Sequence, residues 1–149
     1  YARKFRVQLE SIVGESTAEY GEPVVLVGWS LGGYIAREYA REHPEGVRRI
    51  VTLGSPVIGG PRYTATSEWY RSRGHDLAEM ERAVKSRYAT PLRVPVTAIY
   101  SKRDGIVAWQ ACIDQWSPDV HHIEVSETHI GLGFSPRVLG LVADEIARD

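Results

Sequence analysis

The sequence predicts an α/β fold: a parallel sheet with helices on both faces. Two features carry that expectation. Short β-branched runs alternate with helical stretches along the chain, at lengths that suit right-handed crossovers between parallel strands. Those runs are also close to continuously apolar, as in Val24-Val25-Leu26-Val27, which suits strands covered on both sides. At 149 residues the chain is long enough to enclose a real core as one domain.

The elements follow in order. Ala2, Phe5, Leu9, Ile12 and Val13 recur with near-helical spacing, and Gly21 stops that helix. A strand is expected over 23–28, after the turn signal Gly21-Glu22, then a helix over 31–42 closed by His43-Pro44. Gly32, Ala36 and Ala40 form a small-residue stripe on that helix and would let it sit close to the sheet. Strands follow at 48–53, at 94–100 with Pro95 near its start, and at 121–125. A helix is expected over 107–116. The last helix has Ser135 as cap, Pro136 in its first position, and Val138, Leu139, Val142 and Ile146 on one face. The chain shows no internal repeat and no low-complexity tract.

Composition excludes several functions. A net charge of −1 gives no basis for binding nucleic acid or an anionic surface. Cys112 is the single cysteine, so no intrachain disulfide can form, and it reads as a small buried apolar residue. No C-x-x-C or H-E-x-x-H pattern suggests a metal, and no cofactor motif is present. No stretch reaches transmembrane length. Tyr1 already lies in a helical pattern, so a preceding leader would be out of view; a cytoplasmic location is the default expectation.

The chemistry concentrates at Gly28-Trp29-Ser30-Leu31-Gly32-Gly33, a G-x-S-x-G pattern between a strand and a helix. Such a turn holds its serine in a strained conformation with the hydroxyl exposed, and Gly28 and Gly32 stand where crowding is expected. Ser30 also lies at a helix N-terminus, where free N–H groups favour developing negative charge. A nucleophilic serine needs a base and the base an orienting acid. Five histidines are available. His43 reads as a helix-end residue, His121 and His122 as strand residues, and His75 lies in a polar stretch without distinguishing context. His129 lies just past the strand at 121–125, where an open α/β sheet gathers its chemistry. For the acid, Asp104 is the carboxylate in the turn Ser101-Lys102-Arg103-Asp104-Gly105 after a strand, although an Asp-Gly turn alone would also account for it. Asp114, inside the expected helix, and Asp119, before a strand, are its competitors.

These segments together resemble the catalytic half of an α/β-hydrolase of the esterase/lipase branch. The likeness rests on the serine motif, on Val51-Thr52-Leu53-Gly54-Ser55-Pro56 with Gly59-Gly60, on Ser101-Lys102-Arg103-Asp104-Gly105-Ile106-Val107, and on Thr128-His129-Ile130-Gly131. It implies a Ser30, Asp104, His129 triad acting through an acyl-enzyme on a small-molecule or lipid ester, without metal or cofactor. The Leu31 N–H would supply one oxyanion donor. The second donor comes, in that family, from a loop after an earlier strand, and no such strand precedes the serine motif here.

Residues 59–91, between two strands, are the place where the resemblance implies a lid. Arg71, Arg73, Arg82, Lys85 and Arg87 interleave there with acidic residues and read as a solvated face; Arg62 belongs to the same set. Tyr63, Trp69, Tyr70 and Met80 would line an acyl pocket or form the lid's own small core. Trp29 reads first as packing behind the serine turn and second as a substrate contact. Two other functions fit the same residues: acyl transfer or thioester cleavage, and a non-catalytic or partner-dependent half acting as an interaction module. Finally, the sequence offers the strand at 24–27 only one neighbour. Its other edge requires an upstream segment, a separate chain, a second copy, or the helix within residues 1–20.

Overall fold

The computed structural model describes residues 2–58, 63–65, 67–87 and 89–148. Gly59, Gly60 and Arg62, named above, lie outside the described residues. The elements are α1 (Ala2–Tyr20), β1 (Val24–Trp29), α2 (Leu31–Glu42), β2 (Val47–Leu53), α3 (Ser67–Ser72), α4 (Leu77–Arg87), β3 (Val96–Ser101), β4 (Val120–Val125), α5 (His129–Phe134) and α6 (Pro136–Ala147). The four strands form one parallel sheet in the order β1-β2-β3-β4, with Val27 opposite Val51, Val51 opposite Thr97 and Thr97 opposite His121.

Helices cover both faces, as the apolar runs require. On one side Ala36, Tyr39 and Ala40 of α2 and Val13 of α1 pack with Val47, Ile50 and Val96. On the other, Leu132 of α5 and Val138 and Val142 of α6 pack with Val51, Leu53, Ile99 and Val125. Because successive strand residues face opposite sides, the neighbours Ile50 and Val51 serve different cores. A polar tie also fixes α6. Buried Glu145 accepts from Thr97 Oγ1 at 2.6 Å and pairs with Arg49 at 3.3 Å.

Several expectations are corrected. The helix over 107–116 reduces to one 3₁₀ turn, Trp109–Cys112. Its backbone groups are committed elsewhere: the Ala111 carbonyl accepts from the Val57 and Ile58 N–H groups, and Ala108 N–H donates to the Tyr63 carbonyl. The Asp114 carboxylate then accepts from the Trp116 and Ser117 N–H groups, a local bond that competes with helix. Ser135 stands at the N-cap of α6, but its hydroxyl donates to Glu127 at 2.9 Å rather than capping, and Pro136 opens the helix as expected. Of the apolar stripe on α1, Val13 is buried and Leu9 packs against the core, whereas Phe5 and Ile12 are exposed. α1 touches the rest of the fold along a single narrow face, where Arg6 also meets Glu42 at 2.9 Å. The short helices α3 and α5 were not foreseen from periodicity, because six residues are too few to display it.

Asp114, one competitor for the acid, has a structural partner. It forms a buried ion pair with Arg37 of α2, and its own N–H donates to His122 Nε2 at 3.1 Å. Burial alone would raise the Asp114 carboxyl, but the Arg37 guanidinium and the N–H groups around it prevail and hold it at about 2. Burial also lowers the His122 imidazole. Both groups therefore make the fold acid-labile. The His122 contribution declines as pH falls below its unfolded value of about 6.5. The Asp114 contribution is complete above about pH 4 and is lost as pH falls towards about 2. Urea midpoints measured against pH should show both losses, and Asp114→Asn should remove the lower one. Asp114→Ala at neutral pH takes the carboxylate from a buried guanidinium and should cost about 3–5 kcal/mol.

Candidate active site

Ser30 has φ 55° and ψ −123°, the only positive φ of any non-glycine among the described residues. Such a conformation costs on the order of 1–3 kcal/mol and persists only where its surroundings enforce it. Here the enforcement is visible. Ser30 N–H donates to the Leu53 carbonyl at 2.8 Å, and the Ser30 carbonyl accepts from Gly33 N–H at 3.1 Å. Strand and helix meet with almost no gap. A Cβ on Gly28 would lie 2.4 Å from Gly33 Cα, and one on Gly33 would lie 2.0 Å from Ser55 Oγ. Gly32 is exposed, with nothing within 4 Å of such a carbon. The crowding expected at Gly32 thus falls on Gly33, and the buried small-residue stripe runs Gly33, Ala36, Ala40.

The Ser30 hydroxyl makes no capping bond to α2. The Leu31 and Gly32 amides precede the first turn's Gly33–Ser30 bond, have no helical carbonyl to meet, and point their N–H groups out of the helix start. Leu31 itself is exposed.

Asp104 and His129 meet at a hydrogen bond of 2.6 Å between Oδ2 and Nδ1, with both side chains at least nine-tenths buried. The other carboxylate oxygen, Oδ1, accepts from the Ile106 and Val107 N–H groups, each at 2.8 Å. The aspartate is therefore fully engaged and its direction fixed. His129 is the first residue of α5, whose N-cap Thr128 accepts from Gly131 N–H at 3.1 Å. The imidazole Nδ1 is occupied by Asp104, which leaves Nε2 as the nitrogen for proton exchange.

Gly54, quoted above only within a longer motif, earns its place here. It follows β2 with φ +53°, and a Cβ on it would lie 2.9 Å from Asp104 Oδ2 and 3.3 Å from His129 Nδ1. The Asp–His pair sits in the space that this glycine leaves. A glycine directly after a strand, in Leu53-Gly54-Ser55, was the available signal.

Other residues named from sequence lie elsewhere. His43 meets Glu10 and Glu45, His75 meets the Tyr70 ring, and His122 accepts from Asp114. The Asp119 carbonyl accepts from Val96 N–H at the opposite end of the sheet. Trp69 packs edge-on against Tyr70, with the Arg73 guanidinium 4.2 Å above the Trp69 ring. Tyr70 and Met80 are half-buried on α3 and α4. Trp29 does not lie behind the turn. Its ring faces His129, 5.6 Å between centroids, and its indole N–H donates to the His129 carbonyl at 3.1 Å. Burial pushes the Cys112 thiol up to about 12, which leaves it un-ionised at neutral pH. Among the described residues no group of His, Cys, Asp and Glu could hold a metal, and no helix is long and apolar enough to cross a membrane.

This architecture is the fold of the α/β-hydrolase superfamily. The family model described as alpha/beta hydrolase fold matches residues 20–85. Among curated proteins, the chain is 33% identical over 67 residues to a pimeloyl-[acyl-carrier protein] methyl ester esterase of Yersinia enterocolitica; the match takes in 45% of this chain and 24% of that protein. The chain thus spans about a quarter of that relative's length. Among solved structures, an alpha/beta hydrolase enzyme from the metagenome of lagoon sediments at Mar Chica, Morocco, superposes with TM-score 0.66 at 20% identity, covering 97% of this chain and 68% of that one. A thioesterase domain from the curacin biosynthetic pathway superposes with TM-score 0.70 at 12% identity, covering 99% and 72%.

The two glycines of the turn should separate by stability. Gly33→Ala must force Ser55 or the Gly28 carbonyl aside and should lower the unfolding temperature by several degrees. Gly32→Ala meets open space in a helix and should be neutral or stabilising by up to about 1 kcal/mol. Thermal denaturation of the two variants side by side checks this.

Proposed function

We propose that this chain carries the catalytic machinery of a serine hydrolase that cleaves carboxylic esters through an acyl-enzyme. The single observation behind this reading is the 2.6 Å Asp104–His129 hydrogen bond, closed off from water at the strand ends that also carry strained Ser30. In this reading His129 Nε2 accepts the Ser30 proton as Oγ bonds to the carbonyl carbon. The Leu31 N–H stabilises the resulting oxyanion. The tetrahedral adduct then expels the alcohol, which takes its proton from Nε2, and water repeats the sequence on the acyl-enzyme. Asp104 holds the ring in the tautomer with its proton on Nδ1 and stabilises the imidazolium. The substrate is a small-molecule or lipid ester, and the insert over 59–91 acts as its lid, with Trp69, Tyr70 and Met80 towards the acyl chain. The esterase named above supports the ester class.

Ser30→Ala and His129→Ala should each remove nearly all hydrolysis of short p-nitrophenyl esters, and the double variant should lose no more than either single one. Asp104→Asn should lose on the order of 10⁴-fold. A serine-reactive phosphonate should add one adduct mass to the parent and none to Ser30→Ala. If the folded parent takes up no phosphonate, the chain acts instead as an interaction module. If His121→Ala is inactive while His129→Ala is not, the base is misassigned. Faster turnover of acyl thioesters than of matched oxygen esters would move the reading to a thioesterase.

We further propose that β1 is completed by a strand from another segment or a second copy. Among the described strands it pairs only with β2, and Val27 on it is 45% exposed. Light scattering should show self-association of the 149-residue chain, or capture of an added strand. A soluble monomer with slow amide exchange over 24–27 would overturn this.

A further inference from the structure

α5 is only six residues long, and helices of that length have little stability of their own. Ile130 and Phe134 on it are exposed, while His129 and Leu132 are buried. What fixes its first residue must come from outside, and Leu132, in the core beneath, anchors only the middle of the helix. Asp104 holds the imidazole and Thr128 caps the helix, and several further contacts converge on one side chain. Trp29 donates its indole N–H to the His129 carbonyl at 3.1 Å and tilts its ring over the imidazole at 5.6 Å. It also meets the Phe134 ring edge-on at 5.9 Å. A Cβ on Gly133 would lie 3.3 Å from the indole, so the helix lies directly against that ring. Trp29 immediately precedes Ser30, on the strand at the opposite edge of the sheet from β4.

We infer that Trp29 is a positioning residue that ties the His129 base to the nucleophile's own strand. The inference rests on the reading of His129 as base. The indole N–H fixes the backbone of the base, and the ring face limits rotation of the imidazole. Together they set the base against Ser30 from one side, as Asp104 does from the other. Its partial exposure, 37%, does not make it a substrate contact in this assignment, because its one polar group is already bonded within the protein.

The test uses the whole chain with two variants and two readouts. Trp29→Phe keeps a ring and loses the N–H; kcat on short esters should fall about 10-fold with KM unchanged, the scale of one lost hydrogen bond. Trp29→Leu loses both contacts and should fall about 100-fold in kcat, the scale expected of a misplaced catalytic group. The second readout needs no turnover. The proton between His129 Nδ1 and Asp104 Oδ2 should give a far-downfield NMR signal in the parent. It should broaden or vanish in Trp29→Leu while the amide spectrum stays folded, and persist, shifted, in Trp29→Phe. Parent kcat with an intact signal in Trp29→Leu overturns the inference. A raised KM at constant kcat, with the signal intact, also overturns it and makes Trp29 a substrate contact. If Trp29→Leu does not fold, Trp29→Phe decides by the same two measures. Loss of the signal alongside full activity of His129→Ala would keep the positioning contact and overturn the base reading instead.

Discussion

The constraint on which the rest depends is the contact between strand and helix at Gly28, Gly33 and Ser55. No side chain fits between these backbones, so the chain must turn within one residue, and that residue is Ser30. Close packing keeps the turn from relaxing, since any widening opens a void between β1, β2 and α2. The turn in turn sets where α2 begins and therefore where its first free N–H groups point. Ser55, pressed against Gly33, is the second residue after β2, so the same contact fixes the run that contains Gly54. From Gly54 it reaches the Asp104–His129 pair. Local strain at Ser30 and the geometry of the Asp104–His129 hydrogen bond are thus parts of one packed unit.

Two buried aspartates show how environment assigns different duties to the same side chain. Asp114 is matched by a guanidinium and two N–H groups and joins α2 to the loop before β4. Asp104 faces two N–H groups and an imidazole, a partner whose charge can change. The first arrangement suits stability and the second suits a proton cycle. Their positions in the chain, ten residues apart on the same connection, do not distinguish them.

Much of this was legible in the residues. The apolar runs placed all four strands to within two residues, and the serine motif with His43-Pro44 placed both ends of α2. Ser30 stands out by its G-x-S-x-G motif, and Asp104 and His129 because each follows a strand; the structure brings Asp104 and His129 into contact at the carboxyl ends of the strands. What sequence missed was decided by tertiary partners. The 107–116 stretch has helical spacing, yet the Ala111 carbonyl is claimed by Val57 and Ile58 from far along the chain. Gly32 and Gly33 are indistinguishable by type, and only the approach of Ser55 tells which one is crowded. Trp29 carried a motif position but no periodic signal, so its contact across a hundred residues was invisible.

Thr64 bridges Val107 in antiparallel fashion, with Ala65 N–H donating to the Ile106 carbonyl and Ala108 N–H to the Tyr63 carbonyl. Ile106 and Val107 are the residues whose amides hold Asp104. The chain entering the α3–α4 segment is therefore riveted to the Asp104 loop before that segment departs, and it returns to the core through buried Leu92. Between these two fixings Arg87 of α4 pairs with Glu38, and the Thr90 carbonyl accepts from Arg41, so the segment is also moored to α2. The Asp104 carboxylate is held by Ile106, Val107 and His129, none of which lies in the segment. A change within α3 or α4 can therefore reach the carboxylate's loop through that short bridge.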